Sequence, residues 1–86
     1  TEVPLETIRA CVAAMRHGQV ACTEGNPSAA SDAKVGIRLL MAAALGARDN
    51  VDINLGGLTD EAIRTAIGTE ASALIDEATR LHAVVG

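Results

Sequence analysis

No aromatic residue occurs anywhere in this 86-residue chain, so burial has to come from aliphatic side chains alone. Apolar residues make up 49% of the sequence, but 17 of them are Ala, which leaves 23 Val, Leu, Ile and Met to supply most of the core. The core is therefore thin, because a single domain of this length buries only about 60–65% of its unfolded surface. Small side chains favour close helix packing over a bulky centre.

Clustered positive charge is also lacking. Seven Lys and Arg against eleven Asp and Glu give a net charge of −4, and neutralising phosphates requires basic clusters that this chain does not have. Nucleic acid and anionic membrane surfaces are thus excluded as expected partners. The longest nearly continuous apolar run, residues 35–47, is 13 residues long and contains Arg38, well short of the roughly 20 needed to span a bilayer. With no signal peptide, the chain is expected to be soluble. Its opening Thr in place of Met is what a processed form, a truncated form or a piece of a longer chain would show.

Cysteine is sparse. Cys11 and Cys22 fall on one helical run eleven residues apart, a separation of about 16 Å along the axis. An intact helix forbids a disulfide between them, and two thiols without a disulfide framework fit a reducing, cytoplasmic compartment.

What the sequence does have is helical periodicity. Leu5, Ile8, Val12, Met15, Gln19 and Cys22 recur at alternating steps of three and four, which predicts a helix over about 4–24, with Pro4 in its first turn. Gly18 weakens that helix by roughly 1 kcal/mol relative to Ala. Gly25 stands where a left-handed C-terminal cap is expected, and Asn26-Pro27 reads as a break. A second helix is expected over 32–54, capped by Ser31, with Asp32 in its first turn opposing the positive end of the helix dipole. Val35, Ile37, Leu39, Leu40, Met41 and Leu45 scatter around this whole helix, so more protein should pack on it. Asn50 and Asn54 are spaced like neighbours on one helix face, although Val51, Ile53 and Leu55 also alternate like a strand. An isolated strand would lack a partner, which favours helix. Gly56-Gly57 ends the element.

The third helix is expected over 60–85, with Thr59 as N-cap and Leu58 and Ile63 as a hydrophobic staple. Its apolar stripe runs Ile63, Ile67, Ala71, Leu74, Ala78, Leu81 and Val85, with Asp60/Arg64 and Asp76/Arg80 as surface pairs. The expected fold is all-α: one helical segment over 1–86, three helices packed antiparallel, part of a larger or oligomeric bundle.

Metal chemistry is not indicated. Asp52, Asn54, Gly57 and Asp60 take the first, third, sixth and ninth places of a calcium loop, but Ile63 holds the twelfth, where Glu is needed. His17 and His82 are single imidazoles without ligand spacing, and read as surface or packing residues. Neither a phosphate-cradling loop nor a catalytic triad can be assembled. Asn26, Ser31 and Asp32 read first as loop and cap chemistry, and Asn50 and Asn54 as amides capping a helix end or bonding across an interface.

Three motifs carry a resemblance along essentially the whole chain: EVPL at 2–5, GNPSAASD at 25–32 and NVDINLGGLTDEA at 50–62. In this order and spacing the chain resembles the later part of the formimidoyl-tetrahydrofolate cyclodeaminase domain, a family that includes methenyl-tetrahydrofolate cyclohydrolases. The resemblance implies an all-helical domain that dimerises and binds a reduced folate in a crevice, with a Pro- and Gly-rich folate-gripping turn in an earlier part that these 86 residues do not contain. It implies a lyase or hydrolase reaction of one-carbon metabolism: closure of the formimino group with loss of ammonia, or hydration of the methenyl bridge. Both need proton transfer, so a positioned carboxylate is a sensible general acid or base. Asp32 is the catalytic candidate, and Asn26, Ser31, Asn50 and Asn54 the substrate-binding candidates, with a tetrahydrofolate derivative as substrate and no metal. A carboxylate at a helix start suits a fixed anion better than an acid. The alternative is a non-catalytic helical interaction or dimerisation module that docks through its apolar second helix.

Overall fold

The Asn26-Pro27 pair begins a helix. In the computed structural model of the chain, which describes residues 2–84, the Asn26 Oδ1 accepts the Ala29 N–H at 2.8 Å. Pro27 takes the first helical position, where its missing N–H would have had no intrahelical partner. Three helices follow one another, α1 (Glu2–Glu24), α2 (Pro27–Leu55) and α3 (Glu61–Ala83), and no strand occurs among the described residues. The all-helical expectation holds, including helix through Asn54. The start of α2 does not: it lies five residues before residue 32, so Ser31 is not its cap and Asp32 is not in its first turn.

Two further expectations at helix ends are corrected. Gly25 is not left-handed, since no described glycine has a positive φ. It donates its N–H to Ala21 O at 2.9 Å, and a Cβ there would lie 2.5 Å from that same oxygen and 3.2 Å from Ala29 Cβ. The tight two-residue connection thus still requires glycine, for space. At the start of α3 the cap is Asp60, whose Oδ1 accepts the Ile63 N–H at 3.1 Å, and not Thr59. The one-residue shift moves Leu58 and Ile63 out of staple positions, and Ile63 stays 51% exposed.

Leu5, Ile8, Val12 and Met15 of α1 form the centre of the core with Ile37, Ala47 and Val51 of α2 and Ala71, Ala78 and Leu81 of α3. Gln19 and Cys22 are only half-buried, so the α1 stripe weakens toward its C-terminus. Of the expected α3 stripe, Ile67 and Leu74 are partly buried, and Val85 lies outside the described residues. Alanine replaces bulk where the helices touch: Ala71 and Ala78, one heptad apart, are fully buried. At Gly18 a Cβ would come within 2.9 Å of Ile37 Cγ1, so this glycine lets α2 close onto α1 and offsets the helix propensity it lacks.

Consecutive helices run antiparallel, which leaves α1 and α3 parallel. Arg9 of α1 binds Glu70 of α3, and Arg16 binds Glu77. The within-helix pairs Asp60/Arg64 and Asp76/Arg80 are not formed among the described residues; Asp60 caps, and the ion pair along one helix is Arg48 with Asp52 at 3.0 Å. The whole is a rod of 50 × 17 × 15 Å.

The rod leaves α2 two-faced. Ile37, Ala44, Ala47 and Val51 are buried, and Leu40 and Met41 pack partly against the core. On the far side Val35, Leu39, Leu45 and Ile53 are 51%, 67%, 45% and 73% exposed. The surplus of apolar residues in this helix is an unpartnered outer face.

Candidate functional site

All five residues singled out in the sequence lie on α2 or at its cap, but in two groups. Asn26, Ser31 and Asp32 stand at the N-terminal end, and Asn50 and Asn54 at the C-terminal end. Eighteen residues separate Asp32 from Asn50, which is five full helical turns and about 27 Å. The two side chains therefore share one azimuth on the helix but no common crevice within the chain. Each of the five is exposed.

Their chemistry is set by that exposure. Asn26 spends one lone pair of its carbonyl oxygen on the Ala29 N–H, which leaves its two amide N–H donors and the second lone pair to offer a ligand. Asp32, in the body of α2, is away from the positive end of the helix, which acts only over the first turn. It is surrounded by solvent on this chain, and no polar or charged side chain is buried among the described residues. A proton-transferring carboxylate gains its power from a partly dry, enclosed setting. Enclosure would have to be added here by other protein.

An open groove of about 550 Å³ lies elsewhere, between α2 and α3. Arg48, Thr65, Thr69, Ser72 and Asp76 line it, and none of the five residues does. Arg48 donates to Ser72 Oγ at 3.1 Å and to Asp52 Oδ1 at 3.0 Å. Its charge is thus matched already. The sequence signal for this polar strip was the hydroxyl spacing of Thr65, Thr69 and Ser72, at i, i+4 and i+7.

The two thiols are unpaired with each other. Burial pushes the Cys11 thiol up from its ordinary range, and Cys22 donates to Ala30 O at 3.8 Å. No group of three His, Cys, Asp or Glu among the described residues could hold a metal ion. The calcium-loop spacing straddles the end of α2 and does not form one loop. No helix of the described residues is long and apolar enough to cross a membrane.

The model of the formiminotransferase-cyclodeaminase family matches residues 1–73. The chain is 39% identical over 69 residues to the formimidoyltransferase-cyclodeaminase of Gallus gallus, a stretch that covers 80% of this chain and 12% of that relative. The chain thus spans a small part of the length of the curated relative it matches. No solved structure matches it.

Proposed function

Because the chain belongs to the formiminotransferase-cyclodeaminase family, we propose that it forms part of a folate-converting enzyme, acting in cyclodeamination of formimino-tetrahydrofolate or hydrolysis of methenyl-tetrahydrofolate. In the first reaction the folate nitrogen attacks the formimino carbon and ammonia leaves; in the second, water adds to the methenyl carbon and one carbon–nitrogen bond opens. Each step moves a proton onto or off nitrogen or oxygen, the task of a general acid or base. Asp32 is the proposed catalytic group. Asn26, Ser31, Asn50 and Asn54 are proposed to bind the substrate through amide and hydroxyl hydrogen bonds. We place the enzyme in the cytoplasm, in keeping with its two unbridged thiols.

The observation that carries the reading is that the family match over residues 1–73 takes in all five of these residues. The exposure of Asp32, and a span of 12% of the relative, support a further point: the chain alone is incomplete for catalysis. Purified chain assayed for loss of methenyl-tetrahydrofolate should match buffer. Turnover abolished by Asp32→Ala would place the whole chemistry on these residues.

A second reading, a helical interaction or dimerisation module without catalysis, is favoured by the outer face of α2, where Leu39 and Ile53 are 67% and 73% exposed. It shares with the first the proposal that this face packs on a second copy or on the remainder of a parent chain. Equilibrium dialysis with 5-formyl-tetrahydrofolate separates the two, since an interaction module should bind none.

A further inference from the structure

The groove between α2 and α3 encloses about 550 Å³ and is lined mostly by polar side chains, none of them among the five candidate folate residues. Its volume falls within the range of about 300–1,000 Å³ typical of small-molecule sites. We propose that this groove binds a free α-amino acid with a polar side chain, its carboxylate on Arg48 and Ser72, its ammonium on Asp76, and its side chain lying toward Thr69 and Thr65. The site is independent of the folate reading.

The first support is a set of hydrogen-bonding groups without partners. Elsewhere on the rod the exposed threonines Thr7, Thr23 and Thr79 donate their hydroxyls to a carbonyl four residues earlier in the same helix, as helical hydroxyls commonly do. Among the described residues Thr65 and Thr69 make no such bond, and Ser72 only accepts, from Arg48 at 3.1 Å. Three hydroxyl protons on one side of α3 are thus left to donate into the groove. Asp76 extends the same stripe by one turn. Its carboxylate has no ion-pair partner among the described residues, while the charge of Arg80 acts on Glu77.

Charge decides the class of ligand. The Arg48 guanidinium is matched by Asp52 at 3.0 Å, yet of its five N–H donors only two are engaged, by Asp52 and Ser72. Three stay available. With one cation and two carboxylates, the groove repels a simple anion, and a simple amine would leave its donors without acceptors. An α-amino acid presents both ends at once. Ser72 and Asp76 are about 6 Å apart along the helix axis, within the span of an ammonium and a carboxylate on one carbon with a hydrogen bond of about 2.9 Å at each end.

Gly68 gives a second support. It lies inside α3 on the groove lining, where glycine is among the poorest helix formers. Its φ is not positive, and a Cβ there would meet only Leu55 Cδ1, at 3.8 Å, an ordinary contact. Packing within the chain therefore does not require it. The missing side chain leaves the helix backbone open between Thr65 and Ser72, so that a ligand can lie against it.

The test is a heteronuclear NMR titration of the purified chain, since the lack of Trp and Tyr rules out fluorescence. L-asparagine and L-glutamine should shift the backbone amides of residues 65–76 saturably at millimolar concentration. Their N-acetyl and C-terminal amide derivatives, each lacking one charged end, should not. Asp76→Asn changes almost no volume at an exposed position, so the fold is kept, and it should weaken binding by about tenfold or more through loss of a charge-assisted hydrogen bond. Gly68→Leu should also weaken binding while raising the denaturant midpoint, a split that a merely structural role would not give. Absence of saturable shifts, equal binding of the blocked derivatives, or unimpaired binding by Asp76→Asn would overturn the proposal. Displacement of bound L-glutamine by 5-formyl-tetrahydrofolate would overturn it as well, because the glutamate nitrogen of that folate is acylated and offers no ammonium.

Discussion

Arg16 on α1 grips both carboxylate oxygens of Glu77 on α3, at 2.5 and 2.6 Å. One heptad earlier Arg9 does the same to Glu70, the second contact being 2.9 Å. In each pair the partners are 61 residues apart in sequence. Together they fix the parallel register of α1 against α3. Bidentate guanidinium–carboxylate geometry holds direction as well as distance, which the small buried side chains of Ala71 and Ala78 on α3 do not do unaided.

The first prediction follows from these pairs. The hydrogen bonds from Arg9 and Arg16 hold the Glu70 and Glu77 carboxyls below the usual carboxylate range. A folded-state value depressed below the unfolded one contributes stability that is full above the unfolded value and is lost as pH falls through the folded value. The stability gap between wild type and Glu77→Gln should therefore be present at neutral pH and close in acid, below the ordinary carboxylate range. Denaturant midpoints measured at the two pH values check this, and a gap that persists in acid would show that the pair does not act through its charge. High salt should narrow the gap as well, since both pairs are partly open to solvent.

The second prediction concerns the cap of α3. Asp60→Ala should cost about 1 kcal/mol by removing the acceptor for the Ile63 N–H. Thr59→Ala should leave stability nearly unchanged. Unfolding must be followed by circular dichroism, because the chain has no Trp or Tyr, and the Asp60 variant should show a lower midpoint at unchanged slope. The reverse ranking of the two variants would move the helix start back by one residue.

A third prediction tests the α1/α2 contact. Gly18→Leu should destabilise by about 1–3 kcal/mol through overpacking against Ile37. Because the clash is with that one side chain, adding Ile37→Ala should cost less in the Gly18→Leu background than alone. Strict additivity would mean that the two residues do not touch.

These tests also mark what the sequence could and could not reveal. The apolar steps from Leu5 to Met15 and from Ile67 to Leu81 announced α1 and α3, because an amphipathic helix writes its buried face at a spacing of three and four. The start of α2 was hidden: Ser31 followed by Asp32 looks like a cap, yet Asn26 with Pro27 at the first position satisfies the same backbone groups sooner. At α3, Thr59 and Asp60 are both good caps, and only backbone geometry chooses between them. The Arg–Glu clasps were out of reach, since no local pattern joins residues 61 apart. For the candidate site, the helix expected over 32–54 already set Asp32 and Asn50 about five turns apart. What the sequence hid is that Asn26 caps that same helix, because Asn26 and Pro27 start it five residues sooner.

The last prediction is association, and it follows from the outer face of α2. Leu39 is 67% exposed, so replacing it should leave the folded monomer almost undisturbed. In a two-fold pair it would be removed from water twice. With full burial of a Leu side chain worth roughly 1.5–3 kcal/mol, the remaining exposed part of two copies amounts to about 2–4 kcal/mol of association energy. Leu39→Glu should then raise the dimer dissociation constant by roughly thirtyfold to a thousandfold, and the two glutamates would add repulsion. Wild-type protein should sediment as a dimer at tens of micromolar, and the variant as a monomer with the same helical circular dichroism. A wild-type monomer that unfolds cooperatively would show that the chain tolerates this face in water. A dimer untouched by Leu39→Glu would move the contact to another surface of the rod.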